Sequence, residues 1–229
     1  MSFTPEEVAA IRVSLVVATR AVAVALPLAV ATAWALARGR FVGKTVLDAL
    51  VHTPLVLPPV VVGYLLLLIF GVRGPVGSFL DHTFHFRLVF TSGGASFAAG
   101  VMAFPLMVRA VRLALEAVDP GLEAAARSLG AGPLDRFFSV SLPLAAPGVL
   151  AATVIGFAAC LGEFGAIITF AANVPGQTQT LPLAIYSALQ SPGGDAVAAR
   201  LAAVSLTIAL AALVAAEILA RQARAWIGR

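Results

Sequence analysis

What most limits the fold of this chain is a series of apolar stretches, each long enough to cross a bilayer, with charged residues gathered between them. About 20 residues of helix cover the roughly 30 Å of hydrocarbon. Stretches of that order lie near 13–36, 46–70, 94–115, 146–170 and 198–220. Of the 229 residues, 60% are hydrophobic and 11% charged, with a mean hydropathy of +0.99, against roughly 25% charged in an ordinary soluble domain. A water-soluble fold of this size has nowhere to hide so much apolar surface. The sequence therefore predicts an all-α integral membrane protein with about five transmembrane helices. No polar linker or low-complexity tract divides it, so residues 1–229 read as a single transmembrane domain.

Five crossings put the termini on opposite sides of the membrane, and the distribution of cations sets the direction. Arg38, Arg40, Lys44, Arg109, Arg112, Arg127, Arg136, Arg221, Arg224 and Arg229 fall on one side. The other carries Arg12, Arg73, Arg87 and Arg200, with Arg20 inside the first span. The expected topology has the N-terminus outside and the C-terminus in the cytoplasm. The net charge of +4 and pI near 10.2 then reflect orientation in a bilayer, not a nucleic-acid-binding face.

Residues 1–11 hold Glu6 and Glu7 where a signal peptide would be basic, and the first apolar run is too long for a signal-peptide core, so it is expected to remain in the mature protein. Cys160 lies within an apolar run and reads as a small buried hydrophobe; a lone cysteine builds no disulfide framework or metal site. Residues 71–94 read as a polar outer loop. In the later loop, Leu181 to Leu189 is apolar but too short to span, which predicts an interfacial or re-entrant helix.

The most informative segment is cytoplasmic, from Asp119 to Pro143. Asp119 suits an N-cap, Pro120 the first helical position, and Gly130 the position just past a helix end, with Pro133 opening a second short helix. On the first helix Leu122, Ala125, Ala126 and Leu129 recur at helical spacing, while Glu123 and Arg127 are placed for an i, i+4 pair on another face. A small-residue apolar stripe exposed to cytosol fits either a partner's groove or the lipid interface.

This segment resembles the EAA loop of the permeases of bacterial ABC importers: Glu-Ala-Ala, three residues, Gly, nine residues, Ile, one residue, Leu-Pro. Ala125, Ala126, Gly130, Val140, Leu142 and Pro143 match in register. Ala124 stands at the motif's Glu position, with Glu123 one residue earlier. The runs 161–170, 173–182 and 191–194, with 56–64 in the second span, resemble the molybdate permease subfamily, so the likeness covers nearly the whole chain.

The resemblance implies the type I ABC importer permease fold, a homodimer enclosing a path for an oxyanion, and two ABC ATPase subunits docked on the cytoplasmic loop. It also implies an extracytoplasmic oxyanion-binding protein that delivers molybdate, or a related oxyanion such as tungstate or sulfate. The residues implied in ATPase docking are Leu122, Glu123, Ala125, Ala126, Leu129 and Gly130. No cofactor is implied.

Arg20 and Glu163 are costly in hydrocarbon, and each is expected to find a partner. Both lie about seven residues, roughly 10 Å at 1.5 Å per residue, from the outer ends of their spans, so they are read as a buried pair beside the path. Contact with a passing anion is the other reading, and it suits Arg20. Pro58 and Pro59 remove two adjacent backbone donors near mid-membrane and are expected to line the path. Asp48 and His52 are placed in an aqueous inner vestibule, and His82 and His85 outside, with no metal implied.

A stand-alone ion-coupled carrier would need further coupling charges within its spans or inverted repeats. A membrane-embedded enzyme would need a convergent nucleophile, base or metal cluster, and neither signature is present in the sequence. The run Gly39 to Thr45 imitates a phosphate-binding loop but has three residues between its glycines where four are needed, and it follows an apolar helix instead of a strand. The purified chain alone is therefore expected to release no phosphate from ATP. Turnover that persists after every contaminating ATPase is removed would overturn that expectation.

Overall fold

The structure, a computed structural model, describes residues 3–227, apart from several side chains beyond Ala215. Of the cations assigned above, the Arg224 side chain and Arg229 lie outside the described residues. In chain order the helices are α1 (Pro5–Arg38), α2 (Lys44–Val56), α3 (Pro59–Phe70), α4 (Pro75–Phe84), α5 (Ser92–Glu116), α6 (Pro120–Ser128) and α7 (Pro133–Arg136). A π-helical turn over Phe137–Ser141 leads into α8 (Leu142–Leu144), α9 (Ala146–Gly162), α10 (Gly165–Ala171), α11 (Leu181–Leu189) and α12 (Asp195–Ile227). α1, α5 and α12 are continuous helices long and apolar enough to cross a membrane. Two further crossings are bent: α2 meets α3 at 118°, and α7–α8 meets α9 at 72°. With each bent pair counted as one span, the helices give five candidate crossings, the number expected from the sequence, although the stretch expected at 146–170 is divided between α9 and α10.

α1 begins where it does because Thr4 and Glu7 cap each other. The Thr4 hydroxyl accepts from the Glu7 amide at 3.3 Å, and Glu7 Oε2 accepts from the Thr4 amide at 2.7 Å. At α5 the Thr91 hydroxyl plays the same part for Gly94 at 3.0 Å. These two helices form the spine of the molecule. α1 turns Ala18, Ala21, Ala25, Ala29 and Ala33 inward, against Ala95, Ala99, Ala103, Met107 and Val111 of α5. Lipid tails are as apolar as leucine, so helices in a membrane associate through close packing of small residues. At Gly100 an added Cβ would stand 3.7 Å from that of Ala21. A satellite cluster joins α3, α5 and α10, where Phe97 lies against Phe70 and Phe170 with ring centroids 4.8 and 6.1 Å apart.

Residues 71–94 are not simply a polar loop. Gly74 and Pro75 open the ten-residue α4 there, and its Asp81 accepts from Arg87 Nε at 2.9 Å. That hydrogen bond holds the Asp81 carboxyl below its ordinary range. The Leu181–Leu189 helix forms as read and is pinned deep in the fold, because the Leu181 amide donates to Ser14 Oγ at 2.6 Å. Near the N-terminal end of α1 Glu7 pairs with Arg200 at 2.7 Å, and midway along α1 Arg20 reaches Ser92, the first residue of α5, at 3.5 Å. At the opposite end Arg38 meets Glu123, and Arg112 meets Asp48. Arg200 on the one hand, and Arg38 and Arg112 on the other, thus lie at opposite ends of the bundle.

This arrangement generates a labelling test of orientation. Thr83 and Gly132 are exposed at opposite ends, whereas Cys160 is 2% exposed and gives little background. A membrane-impermeant maleimide is expected to label Thr83→Cys in intact cells and Gly132→Cys only after permeabilisation. The reverse pattern would invert the topology.

Candidate functional site

α6 is built from its ends. Asp119 Oδ1 accepts from the Gly121 amide at 2.8 Å, and Pro120 takes the first position, where its missing donor is no loss. At the far end the Gly130 amide donates to Arg127 O at 3.0 Å and the Ala131 amide to Ala126 O at 3.0 Å. That pair of bonds is a Schellman closure, and it requires the left-handed backbone that Gly130 adopts at φ +90°. No residue of α6 is fully buried. Leu122 is 48% and Leu129 89% exposed, Ala125 is exposed beside them, and Ala126 is half-buried. One face of this short helix is therefore apolar, open and free of carboxylates.

Glu123 departs from the expected pairing. It does not bind Arg127 four residues on. Its Oε1 accepts from Arg38 Nε at 3.0 Å and from Ser141 Oγ at 2.7 Å, and its side chain is 16% exposed. An i, i+4 pair on a helix surface is worth only about 0.2–0.5 kcal/mol. Arg38 offers more, because it stands at the end of α1 already fixed by Leu115 O at 2.9 Å and Val118 O at 3.3 Å. Of the residues assigned to docking, Leu122, Ala125 and Leu129 share the open face, and Glu123 turns inward.

At mid-depth the broken helices converge. The α2–α3 break at Pro58 and Pro59 lies against the α9–α10 break: a Cβ added at Gly165 would stand 2.8 Å from Pro59 Cβ, and one at Gly63 2.8 Å from Ala166 O. Only glycine permits that approach. Glu163 is 9% exposed, and its Oε1 accepts from the Ala166 amide at 2.8 Å, satisfying the exposed start of α10.

The expected Arg20–Glu163 pair is not made. Arg20 faces outward beside Ser92 and lines, with Arg12, Thr91 and Gln177, an outer cavity of about 700 Å³. Equal depth in two spans says nothing about which way each helix turns its side chain.

At the inner end, Asp48 and His52 line a cavity of about 360 Å³ with Arg109, Arg112 and Glu116. Arg112 bridges Asp48 at 3.0 Å and Glu116 at 2.8 Å. Sequence reading missed that network, though the i, i+4 spacing of Arg112 and Glu116 signalled half of it. The phosphate-loop mimic is a turn into α2, in which Lys44 Nζ donates to Gly39 O at 3.4 Å. Among the described residues no three His, Cys, Asp or Glu side chains gather as a metal site.

Comparison with known proteins supplies the wider frame. Residues 25–225 match the family model described as "Binding-protein-dependent transport system inner membrane component". The chain is 51% identical to the molybdenum transport system permease protein ModB of Escherichia coli (strain K12), over the full length of both. It is 37% identical to the sulfate transport system permease protein CysT of Salmonella typhimurium, over 89% of this chain and 74% of that one. Among solved structures, a bacterial ABC transporter involved in alginate import superposes with a TM-score of 0.77 at 18% identity, over 96% of this chain and 80% of that one. At that identity the likeness concerns the fold.

The Schellman closure makes a local prediction. Gly130→Val places a β-branched residue at φ +90°, a strain of about 1–2 kcal/mol or more, although its Cβ would meet nothing within 4 Å. Opening of residues 119–143 is then favoured by about tenfold. Limited proteolysis is expected to cut that segment correspondingly faster in Gly130→Val, while Gly130→Asn, which tolerates the left-handed region, stays near wild type. Equal rates for Val and wild type would exclude a role for the Gly130 backbone.

Proposed function

The chain belongs to the family of binding-protein-dependent transport system inner membrane components, and on that premise we propose that it is the membrane-spanning permease of an ATP-driven importer whose substrate is the oxyanion molybdate. Two cytoplasmic ABC ATPase subunits supply the hydrolysis, an extracytoplasmic oxyanion-binding protein delivers the substrate, and a second copy of the chain completes the path. One observation carries the docking assignment: α6 is capped at both ends yet leaves Leu122, Ala125 and Leu129 open at the cytoplasmic end. A structured helix that buries none of its own residues has its apolar face available for a groove in a partner. Gly130 then sets the angle at which the chain leaves that contact.

The transport path runs from the outer cavity, where Arg12 and Arg20 attract an anion, past the convergence of Pro58–Pro59 with Glu163–Gly165. Irregular backbone at membrane depth is tolerated beside protein or a water-filled cavity. Glu163 repels an oxyanion if exposed to it, and its bond to the Ala166 amide keeps it engaged in the backbone. Closure of the ATPase pair on ATP draws the docking helices together and shifts the permease between inward- and outward-facing states, of which each ligand favours one. Tungstate and sulfate are the neighbouring readings for substrate. The 51% identity to a molybdenum permease, against 37% to a sulfate permease, favours molybdate.

Leu129→Glu tests the docking element. The residue is 89% exposed, so the helix is expected to fold and insert normally. An unpaired carboxylate buried at the contact costs several kcal/mol. Copurification of the ATPase and molybdate uptake by inner-membrane vesicles are each expected to fall at least about tenfold, with Asp135→Asn as an exposed control. Retention of both in Leu129→Glu would remove α6 as the docking element, and sulfate outcompeting molybdate in wild-type vesicles would reassign the substrate.

A further inference from the structure

We infer that Glu123 is a positioning residue that ties the docking helix to the membrane core, so that movement of α6 is delivered to α1 and α5 through one carboxylate. This rests on the reading of α6 as the docking element. Glu123 Oε1 is shared by Arg38 Nε at 3.0 Å and Ser141 Oγ at 2.7 Å. Arg38 is the last residue of α1, and its Nη2 also donates to Leu115 O in α5 and to Val118 O in the turn before α6. Ser141 closes the π-helical turn that leads into α9 and is 2% exposed. A single oxygen atom of α6 therefore holds the end of α1 and the approach to α9, and reaches the end of α5 through Arg38.

Little else holds α6 in place. It buries no residue, and a cavity of about 740 Å³ opens beside it, lined by Trp34, Arg40, Arg127, Arg136 and Phe137 among others. With so few packing contacts the helix would swing about its capped ends, and the polar link decides whether a push on its outer face moves the core. The other charged groups around that cavity, Arg40, Arg127 and Arg136, are all cations. Glu123 is the carboxylate among them, so the ion pair has no second acid to substitute for it. The π-helical turn is anchored separately to α1 through Trp34 and Phe137, whose ring centroids stand 4.9 Å apart. Loss of Glu123 would thus leave the core assembled and free the docking helix from it.

The test uses the full transporter reconstituted in vesicles with its ATPase and binding protein, and measures molybdate imported per ATP hydrolysed. Glu123→Gln keeps the acceptor for Ser141 but loses the ion pair, and Glu123→Ala loses both. The expected result is graded: the import-to-hydrolysis ratio falls severalfold in Gln and about tenfold in Ala, the scale of a typical coupling between sites. ATPase copurification stays near wild type in both variants, unlike Leu129→Glu, and hydrolysis continues without stimulation by the loaded binding protein.

A spin-label pair at Val42 and Gly132, both exposed, is expected to show a narrow distance distribution in wild type and a broad one in Glu123→Ala. Detachment of the ATPase by Glu123→Ala to the extent seen in Leu129→Glu would make Glu123 a contact and overturn the inference, as would an unchanged import-to-hydrolysis ratio. Retention of the ATPase by Leu129→Glu would instead overturn the docking reading beneath it. If Glu123→Ala fails to assemble, the isosteric Gln variant decides by the same ratio.

Discussion

The rest of this molecule depends on the close seam between α1 and α5. Its alanines let two long helices lie against each other along much of their length, and in a membrane that proximity substitutes for the hydrophobic drive that assembles soluble cores. Functional geometry follows from the seam at both ends. At the cytoplasmic end it brings the guanidinium of Arg38 onto Leu115 O, a carbonyl in the last turn of α5 that also accepts from the Val118 amide at 3.3 Å. Cations are also favoured at a helix C-terminus by the helix dipole. Arg38 is thereby oriented before Glu123 arrives, and that pre-orientation makes the carboxylate's position definite. At the other end the same seam sets Arg20 near Ser92 and opens the outer cavity.

Mid-depth geometry obeys the opposite requirement. Continuous helices satisfy all their backbone groups and offer an ion nothing, so the path proposed above needs places where the helix is interrupted. The chain supplies two interruptions and packs them together. Pro58 and Pro59 stand at the break between α2 and α3 and lack donors; Glu163 and Phe164 separate α9 from α10, with the Glu163 carboxylate capping the short helix that follows. Gly63 and Gly165 are the residues that permit the approach, since a methyl group at either would stand within 3 Å of its neighbour. The breaks are thus supported by precise packing, which fits a hinge better than a loose loop.

Much of this was legible in the sequence for reasons that are local. The five apolar stretches, the segregated cations and the Asp119-Pro120 and Gly130 signals each act within a few residues, and the helices, the bundle ends and the Schellman closure formed accordingly. What was hidden depends on azimuth or on distant partners. α4 was obscured because Asp81, His82 and His85 make its segment look like a loop. Arg20 and Glu163 were matched by depth, but depth leaves the rotation of each helix open, and one side chain turned outward while the other turned back onto its own chain. The Arg112 bridge to Asp48 joins residues 64 apart in sequence, beyond any local rule.

The placement of Glu123 shows how much one residue of register decides. Successive residues on an α-helix are separated by about 100°, so a carboxylate at 124 would stand on the exposed side of α6, where Ala124 now sits, whereas at 123 it points toward the end of α1. The same side chain, moved by one position, changes from a surface charge available to a partner into an internal brace. The open face is left with leucine and alanine, and a groove that receives it would be selected for shape and apolar surface more than for charge. An apolar contact of that kind tolerates small rotations of the helix. A charge-assisted hydrogen bond shared by two donors does not, so in this chain directional precision lies on the membrane side of α6.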